Sequence, residues 1–211
     1  MKQLIIIGAR GFGREVFSLA QRSVGFNEHF VIKGFLDSKS DALDGFDGYP
    51  PILGTVEDYN LLENDVFICA LGSVKWKKHY AEIILNKGGE FINLIHKSVV
   101  INNNVNIGSG CIICEHCILS NDVLICDFVT IHSFTILGHD TFLGKYVHLG
   151  AFCFTGGFSR IDDEATVYVR ATILDRLNIG IGATVGAGSL VIRNVKDGVT
   201  VIGNPAKILE Y

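Results

Sequence analysis

A histidine followed directly by an aspartate, His139-Asp140, is the pair of residues in this chain best suited to acid–base chemistry. A carboxylate beside an imidazole orients the ring and stabilises the imidazolium, so such a pair can act as a general base near neutral pH. His148 follows nine residues later, and His116 and His132 are the other candidates for a base. The alternative interpretation is that these are ordinary surface histidines. Whether the two side chains of the pair meet depends on the backbone geometry between them.

Metal binding is a competing interpretation of the cysteines and histidines. The regular spacing of Cys111, Cys114 and Cys117 suggests a metal or cluster site. Two of these three thiols fall on small inward positions of the repeat described next, so we interpret them as reduced core residues. The repeat places His96 and His132 two coils apart, too far to share one ion. We therefore predict no metal site.

The second half of the chain repeats every six residues. An aliphatic side chain occupies one position of the repeat, and a small or β-branched side chain usually comes four residues later. The aliphatic positions are Ile95, Ile101, Ile107, Ile113, Leu119, Ile125, Ile131, Leu137, Leu143, Leu149, Ile161, Val167, Ile173, Ile179, Val185 and Val191. Thr155 is the exception to this series. A period of six fits neither an α-helix nor a single continuous strand.

Such a period predicts a parallel β-helix. Each group of six forms a short strand and a corner, three groups form one triangular coil, and residues eighteen apart stack in columns. Because the period does not slip between Ile95 and Val191, we expect no long loop to leave a coil. Any catalytic group would then lie on the surface of the prism.

The first part of the chain alternates between strand and helix patterns. The predicted strands are 4–8, 30–36, 65–72 and 90–95, and the predicted helices are 14–23, 55–62 and 75–86. This alternation is typical of a small parallel α/β sheet of the Rossmann type. The sequence therefore predicts two domains, 1–94 and 95–211.

A glycine-rich turn follows the first predicted strand. In parallel α/β sheets, ligands bind at the carboxyl ends of the strands, where backbone N–H groups attract phosphate. Gly8, Gly11 and Gly13 lie at this place, although their spacing departs from the dinucleotide fingerprint and also fits an ordinary turn. Asp37 ends the second predicted strand and either accepts a ribose hydroxyl or begins a turn with Ser38.

The composition favours a small-molecule partner. Lys and Arg together number 18 against 22 Asp and Glu, for a net charge of −4, and the basic residues are not clustered. This argues against a nucleic-acid or polybasic membrane surface. The chain has no apolar run of the roughly 18 residues that span a bilayer, and its first residues turn polar too early for a signal peptide. We expect a cytoplasmic protein with neither nucleic acid nor membrane as a partner.

The whole chain resembles the family of sialic-acid O-acetyltransferases and nucleotide-amino-sugar N-acetyltransferases, of the bacillosamine-pathway type. The segments that carry the resemblance are IIIGARGFG, FLDS, ALGS, NLIHKSVVI, GHDTFLG, VGAGSLV and GNPAK. It implies a Rossmann-like domain at 1–94 that binds a nucleotide sugar. It also implies a left-handed parallel β-helix at 95–211 that binds acetyl-CoA, assembly as a homotrimer, and a role in polysaccharide biosynthesis.

The same resemblance implies roles for individual residues. His139 corresponds to the general base and Asp140 to its acidic neighbour. The implied acetyl-CoA-binding residues are His148, Gly157, Val169, Ala187 and Lys207. The implied nucleotide-sugar-binding residues are Arg10, Gly11, Phe12, Asp37, Ser38 and Gly72. Two features depart from the family pattern: Tyr168 and Arg170 lie in the expected acetyl-CoA groove, and FLDS replaces the commoner FLDD.

The predicted function is acetyl transfer from acetyl-CoA to the amino group of a nucleotide-linked amino sugar, with His139 as general base. The alternative acceptor is a hydroxyl of a sialic acid or another sugar, because the residues do not separate the two nucleophiles. A metal-dependent β-helix lyase and a non-catalytic scaffold are alternatives of another class. Bound zinc in the purified protein would indicate the lyase, and failure to bind acetyl-CoA would indicate the scaffold.

Overall fold

The computed structural model describes residues 1–210 of the chain. They divide into two compact units, Met1–Lys97 and the residues from Ser98 onward. Among the described residues, no helix is both long enough and apolar enough to cross a bilayer.

The first unit contains a parallel four-stranded sheet with two helices in its connections. The strands are β1 (Lys2–Ile7), β2 (Phe30–Leu36), β3 (Asp65–Cys69) and β4 (Glu90–Phe91), in the spatial order β2-β1-β3-β4, and the helices are α1 (Gly11–Ala20) and α2 (Val74–Asn86). A short strand, β5 (Leu94–Ile95), follows. Residues 4–7 of the central strand β1 are all fully buried or nearly so. A strand covered on both faces explains the continuous apolar run in the sequence.

The boundaries of several elements differ from those predicted. The first helix begins at Gly11 instead of Arg14, so the glycine-rich turn forms its first turn. The third strand ends at Cys69, and the predicted strand 90–95 is two short strands, β4 and β5.

Residues 56–58 form a turn, and the helix predicted at 55–62 is wrong. Thr55 does act as a cap, since its Oγ1 accepts the Asp58 N–H at 3.1 Å and donates to Asp58 Oδ2 at 2.8 Å. The Tyr59 N–H donates one helical hydrogen bond, to Thr55 O. The Leu62 N–H instead donates to the carboxylate of Asp65. A single turn gains too few hydrogen bonds to offset the cost of nucleating a helix.

The second unit is a parallel β-helix, as the repeat predicts, and it has the left hand that the family resemblance implies. Its strands are β6 (Val100–Ile101), β7 (Asn106–Ile107), β8 (Ile112–Ile113), β9 (Ile118–Leu119), β10 (Leu124–Ile125), β11 (Thr130–Ile131), β12 (Ile136–Leu137), β13 (Phe142–Leu143), β14 (His148–Leu149), β15 (Phe154–Thr155), β16 (Arg160–Ile161), β17 (Thr166–Val167), β18 (Thr172–Ile173), β19 (Asn178–Ile179), β20 (Thr184–Val185), β21 (Leu190–Val191), β22 (Thr200–Ile202) and β23 (Lys207–Ile208). Up to β21, every third strand pairs in parallel, as in the register Ile136 to Phe154, and β22 then pairs in parallel with β20. The three resulting sheets follow the orders β6-β9-β12-β15-β18-β21, β7-β10-β13-β16-β19 and β8-β11-β14-β17-β20-β22-β23. The last pair, β22 with β23, is antiparallel.

Each corner of the prism contains a residue with positive φ, and these residues recur every six positions. At one corner they include Asp140, Phe158 and Arg176, with φ of 57°, 58° and 59°. Side chains other than glycine rarely adopt this conformation, so the surrounding coil must hold it in place. Here the Phe158 N–H donates to His139 O at 2.9 Å and the Arg176 N–H to Gly157 O at 2.9 Å. These bonds tie each corner to the one above it.

Several inward corner positions that carry a hydroxyl or thiol donate to a carbonyl of the next coil. Cys117 Sγ contacts His132 O at 3.2 Å, and Thr135 Oγ1 donates to Gly150 O at 2.9 Å. The six cysteines are free, as expected for core thiols. Burial raises the pKa of Cys117 to about 11 and that of Cys153 to about 11, so both remain thiols at neutral pH.

Candidate active site

The His139 and Asp140 side chains meet at the corner that follows β12. His139 Nδ1 lies 2.7 Å from Asp140 Oδ2. The left-handed backbone at Asp140 is part of the corner geometry in which the neighbouring side chains come together. With Nδ1–H donating to the carboxylate, Nε2 is the basic nitrogen of the ring. The histidine side chain is 59% exposed, so this nitrogen is accessible to a substrate.

The imidazole of His139 lies over Gly157, one coil further along the prism. A Cβ at Gly157 would come within 2.6 Å of His139 Nε2 and 2.7 Å of Cε1. Phe158 meets the ring edge-on, with 5.1 Å between the centroids, and the Arg176 guanidinium lies 4.8 Å above the Phe158 ring. The absence of a side chain at Gly157 therefore makes room for the histidine, and Phe158 bounds it on another side.

The backbone N–H of Gly157 has no hydrogen-bond acceptor within residues 1–210. Lys145 occupies the position of Gly157 in an earlier repeat, and its N–H donates to Asp163 Oδ1 at 2.8 Å. Asp163 lies eighteen residues after Lys145. Asp175 holds the corresponding place after Gly157, but its exposed carboxylate lies 3.6 Å from the Arg176 Nε instead. A backbone donor beside the basic nitrogen of His139 is thus left available.

The other residues predicted to bind acetyl-CoA lie elsewhere on the prism. His148 is on β14, half-buried, with its ring 5.0 Å from that of His132. Val169 and Ala187 are exposed and stack eighteen residues apart at the corner after β17 and β20. Lys207 is exposed on β23. Of the predicted set, the structure places Gly157 against His139.

The first unit contains a cavity of about 450 Å³ at the carboxyl ends of β1, β2 and β3. Five of the six residues predicted to bind the nucleotide sugar line this cavity: Arg10, Phe12, Asp37, Ser38 and Gly72. Gly11, the sixth, is exposed and begins α1. Gly8 and Gly13 also line the cavity, and a Cβ at Gly13 would collide with the carbonyl oxygen of Gly8. The turn therefore needs glycine there for its own packing.

Asp37 ties two of the cavity-lining turns together. Its Oδ2 accepts the Ala9 N–H at 2.9 Å, and its Oδ1 accepts the Lys39 N–H at 2.9 Å. The Arg10 guanidinium lies 3.6 Å from this carboxylate, which is 7% exposed. Of the two roles considered from the sequence, the structure contains the turn. The contact with a ribose hydroxyl stays a prediction.

One wall of the cavity is aromatic, and the sequence analysis did not identify it. Trp76 and Tyr80 lie one turn apart on α2, with ring centroids 5.9 Å apart and planes inclined by 26°. Their spacing of four residues within a predicted helix was the signal that could have found them. Burial, then Glu57 and Asp37, raises the pKa of Tyr80, so its phenol is neutral at physiological pH.

Comparison with known proteins agrees with both halves of this description. Residues 3–84 match the family model of the PglD N-terminal domain. The chain is similar over its length to WeeI from Acinetobacter baumannii AYE, with 28% identity, 99% of this chain and 100% of that chain covered, and a TM-score of 0.86. It is also similar to the acetyltransferase domain of PglB from Neisseria gonorrhoeae FA1090 in complex with acetyl coenzyme A, with 26% identity, 99% of both chains covered and a TM-score of 0.88.

A third solved structure is PerB from Caulobacter crescentus in complex with CoA and GDP-perosamine. It shows 25% identity, coverage of 100% of this chain and 98% of that chain, and a TM-score of 0.89. Residues 3–84 thus match the PglD N-terminal domain, and the whole chain is similar to nucleotide-amino-sugar acetyltransferases. The resemblance and the fold predicted from the sequence are thereby confirmed.

A shorter similarity links the chain to acetyltransferases of other names. Over 50 residues it is 44% identical to the 2,3,4,5-tetrahydropyridine-2,6-dicarboxylate N-acetyltransferase of Clostridium perfringens (strain SM101 / Type A). This match covers 24% of the present chain and 21% of that protein. The chain thus spans about a fifth of the length of such curated relatives.

Proposed function

We propose that the protein transfers the acetyl group of acetyl-CoA to the amino group of a nucleotide-linked amino sugar. The observation that carries the proposal is the grouping of a basic nitrogen on His139, its Asp140 partner and the available N–H of Gly157. The PglB and PerB complexes support the choice of ligands, since the first contains acetyl coenzyme A and the second contains CoA and GDP-perosamine.

The chemistry proposed at His139 is direct transfer without a covalent enzyme intermediate. The sugar nitrogen attacks the thioester carbonyl, and Nε2 of His139 removes a proton from that nitrogen. The carbon–sulfur bond then breaks, and the CoA thiolate leaves. Asp140 keeps Nδ1–H oriented and stabilises the imidazolium that forms. General-base help of this kind contributes typically about 10²–10⁴-fold to the rate.

Gly157 is proposed to supply the oxyanion donor. As the carbonyl carbon becomes tetrahedral, its oxygen takes on negative charge, and a preorganised N–H stabilises that charge most when no other group occupies it. The N–H of Gly157 meets this condition because Asp175 is paired with Arg176. Loss of one such donor typically costs about 10²–10³-fold in kcat.

The remaining parts of the proposal concern binding and assembly. The cavity of the first unit, predicted as the nucleotide-sugar domain 1–94, takes the nucleotide sugar through Arg10, Phe12 and Ser38. His148, Val169, Ala187 and Lys207 contact acetyl-CoA on the domain 95–211. A homotrimer completes the acetyl-CoA groove between neighbouring prisms, and the setting is polysaccharide biosynthesis in the cytoplasm.

A panel of acceptors tests the proposal. The purified protein is incubated with acetyl-CoA and UDP-, GDP- or dTDP-linked amino sugars, with matched sugars that carry a hydroxyl in place of the amine. Thiol release and product mass are measured. We expect N-acetylation of at least one amino sugar and little transfer to its hydroxyl counterpart. Transfer to hydroxyls alone would favour the O-acetyltransferase alternative, and absence of acetyl-CoA binding would favour the scaffold. Zinc in the purified protein would favour the lyase.

A further inference from the structure

We propose that Trp76 is the platform on which the nucleobase of the sugar nucleotide stacks, with Tyr80 supporting the indole from below. This inference rests on the proposed function, because it takes the cavity of the first unit as the nucleotide site. Trp76 would be a base-binding residue outside both the sequence motifs and the glycine-rich turn that follows β1.

The geometry of the aromatic wall suits a stacking role. Trp76 lies on the first turn of α2, and the residue is 49% exposed although it lines the cavity. The ring of Tyr80 lies nearly parallel to it, and His79 meets it edge-on with 5.6 Å between centroids. These neighbours hold the indole in place. By contrast, Phe35 of the same unit is fully buried and packs against other aromatic rings.

The position of the wall relative to the glycine-rich turn favours a nucleotide as the occupant. β1 and β3 are neighbours in the sheet, so the turn after β1, with Gly8 and Arg10, lies beside the turn after β3 that leads into Trp76. A sugar nucleotide carries an anionic diphosphate between an aromatic base and a sugar. A cavity with backbone N–H groups and an arginine on one side and an indole on the other fits both parts. Its volume of about 450 Å³ lies within the range of small-molecule sites.

Stacking on an aromatic side chain depends little on which base is bound, since every base has a π-face. We therefore expect Trp76 to set affinity for UDP, GDP and dTDP alike. Replacing an aromatic platform with alanine typically weakens binding about 5- to 150-fold per base.

The test uses the natural reporter of the protein, because Trp76 is its single tryptophan. UDP, GDP and dTDP are titrated without acetyl-CoA, and fluorescence and calorimetric Kd are measured together. Nucleotide binding should change the emission of the wild-type protein. Trp76→Ala should weaken binding about 5- to 150-fold, and Trp76→Phe, which keeps a ring, should weaken it less. Leu85→Ala is the control, since Leu85 lies on the same helix, is 46% exposed and is not a cavity-lining residue.

An unchanged Kd for Trp76→Ala would overturn the inference alone, and so would calorimetric binding to the wild type with no change in emission. A loss of affinity seen with a GDP-linked sugar but not with GDP would also overturn it, because the indole would then contact the sugar. If the wild-type protein bound none of the nucleotides, the nucleotide part of the proposed function would fail, and the inference would fail with it.

Discussion

His139 Nδ1 lies 2.7 Å from Asp140 Oδ2, across the corner that follows β12. The two residues are adjacent in sequence, and their side chains meet at a corner where Asp140 adopts a left-handed backbone conformation. The same ring lies against Gly157 of the next coil. The position of the His139 ring therefore depends on the Asp140 carboxylate and on the absence of a side chain at Gly157. A substitution at either residue tests its contribution separately.

Asp140→Asn should lower kcat by at least about tenfold, because an amide preserves the size of the side chain but does not stabilise an imidazolium as a carboxylate does. Initial rates at saturating acetyl-CoA and amino sugar measure the effect. Asp122→Asn is the matched control, since Asp122 holds the same corner position one coil earlier, with φ of 61°. An Asp140→Asn enzyme with the rate of the control would show that the contact has no role in turnover.

Gly157→Ala should reduce kcat strongly, because the new methyl group would occupy the space of His139 Nε2 and push the ring from its position. The φ of Gly157 is not in the left-handed region, so the fold should tolerate the alanine. The check is a double-mutant cycle. In a His139→Ala background, Gly157→Ala should cost much less than in the wild type. Equal costs in both backgrounds would mean that Gly157 acts independently of the histidine.

The β-helix was predictable because its hydrophobic period is set by the coil itself. The aliphatic positions of the repeat from Ile113 to Val191 are buried, whereas Ile107 is half-buried and Ile101, in the first coil, is 45% exposed. The helix predicted at 55–62 failed because Thr55 and Asp58 satisfy each other within one turn and Asp65 then captures the Leu62 N–H. Composition alone could not reveal that competition, which depends on a carboxylate from the following strand.

The candidate site was predictable only as a set of residue types. The sequence supplied His139 and Asp140, but their contact depends on a positive φ that nothing in the residue type of Asp140 demands. The spacing of Trp76 and Tyr80 was visible, but their place on a cavity wall depends on the sheet order that sets β1 beside β3. Contacts that arise from chain topology are therefore the part that sequence patterns miss.

Thr135→Val should lower the free energy of unfolding by about 1–3 kcal/mol, the cost of leaving buried polar groups unsatisfied. Thr135 Oγ1 donates to Gly150 O and accepts the Cys153 N–H at 3.2 Å inside the prism. Valine has nearly the same shape, but its side chain can neither donate nor accept a hydrogen bond. Denaturant unfolding measures the change, and Thr166→Val, on a half-buried outward position, is the control. Equal losses in both variants would contradict a special role for the inward hydroxyl.

A buried carboxylate in the first unit links stability to pH. Lys33 Nζ donates to Asp65 Oδ1 at 2.6 Å, and the Tyr59 hydroxyl donates to Asp65 Oδ2 at 2.7 Å. Burial alone would raise the pKa of Asp65, but the hydrogen bonds from Lys33, the Leu62 N–H and Tyr59 outweigh it and lower that pKa. For Lys33, burial opposes its charge, but the bonds to Asp65 and Tyr59 raise its pKa.

The pair should therefore stabilise the first unit between about pH 4 and pH 10.4, the ordinary pKa values of the two groups. The Asp65 contribution is lost as pH falls through its lowered folded pKa, and the Lys33 contribution is lost as pH rises through its raised folded pKa. Lys33→Met should cost about 1.5–3 kcal/mol at pH 7 and less at pH 2. Lys2→Met, which removes an exposed pair with Glu90, should cost little. A Lys33→Met penalty that is the same at pH 2 and pH 7 would contradict this account.

The turnover of His139→Ala tests the proposed mechanism most directly. Rates of CoA release and of acetylated product are measured with the amino sugar that the panel identifies, together with the thermal unfolding temperature. The side chain of His139 is more than half exposed, so the fold should be unaffected. We expect a kcat at least about 100-fold below that of the wild type, with an unchanged unfolding temperature. Wild-type turnover by the folded variant would show that His139 is not the general base.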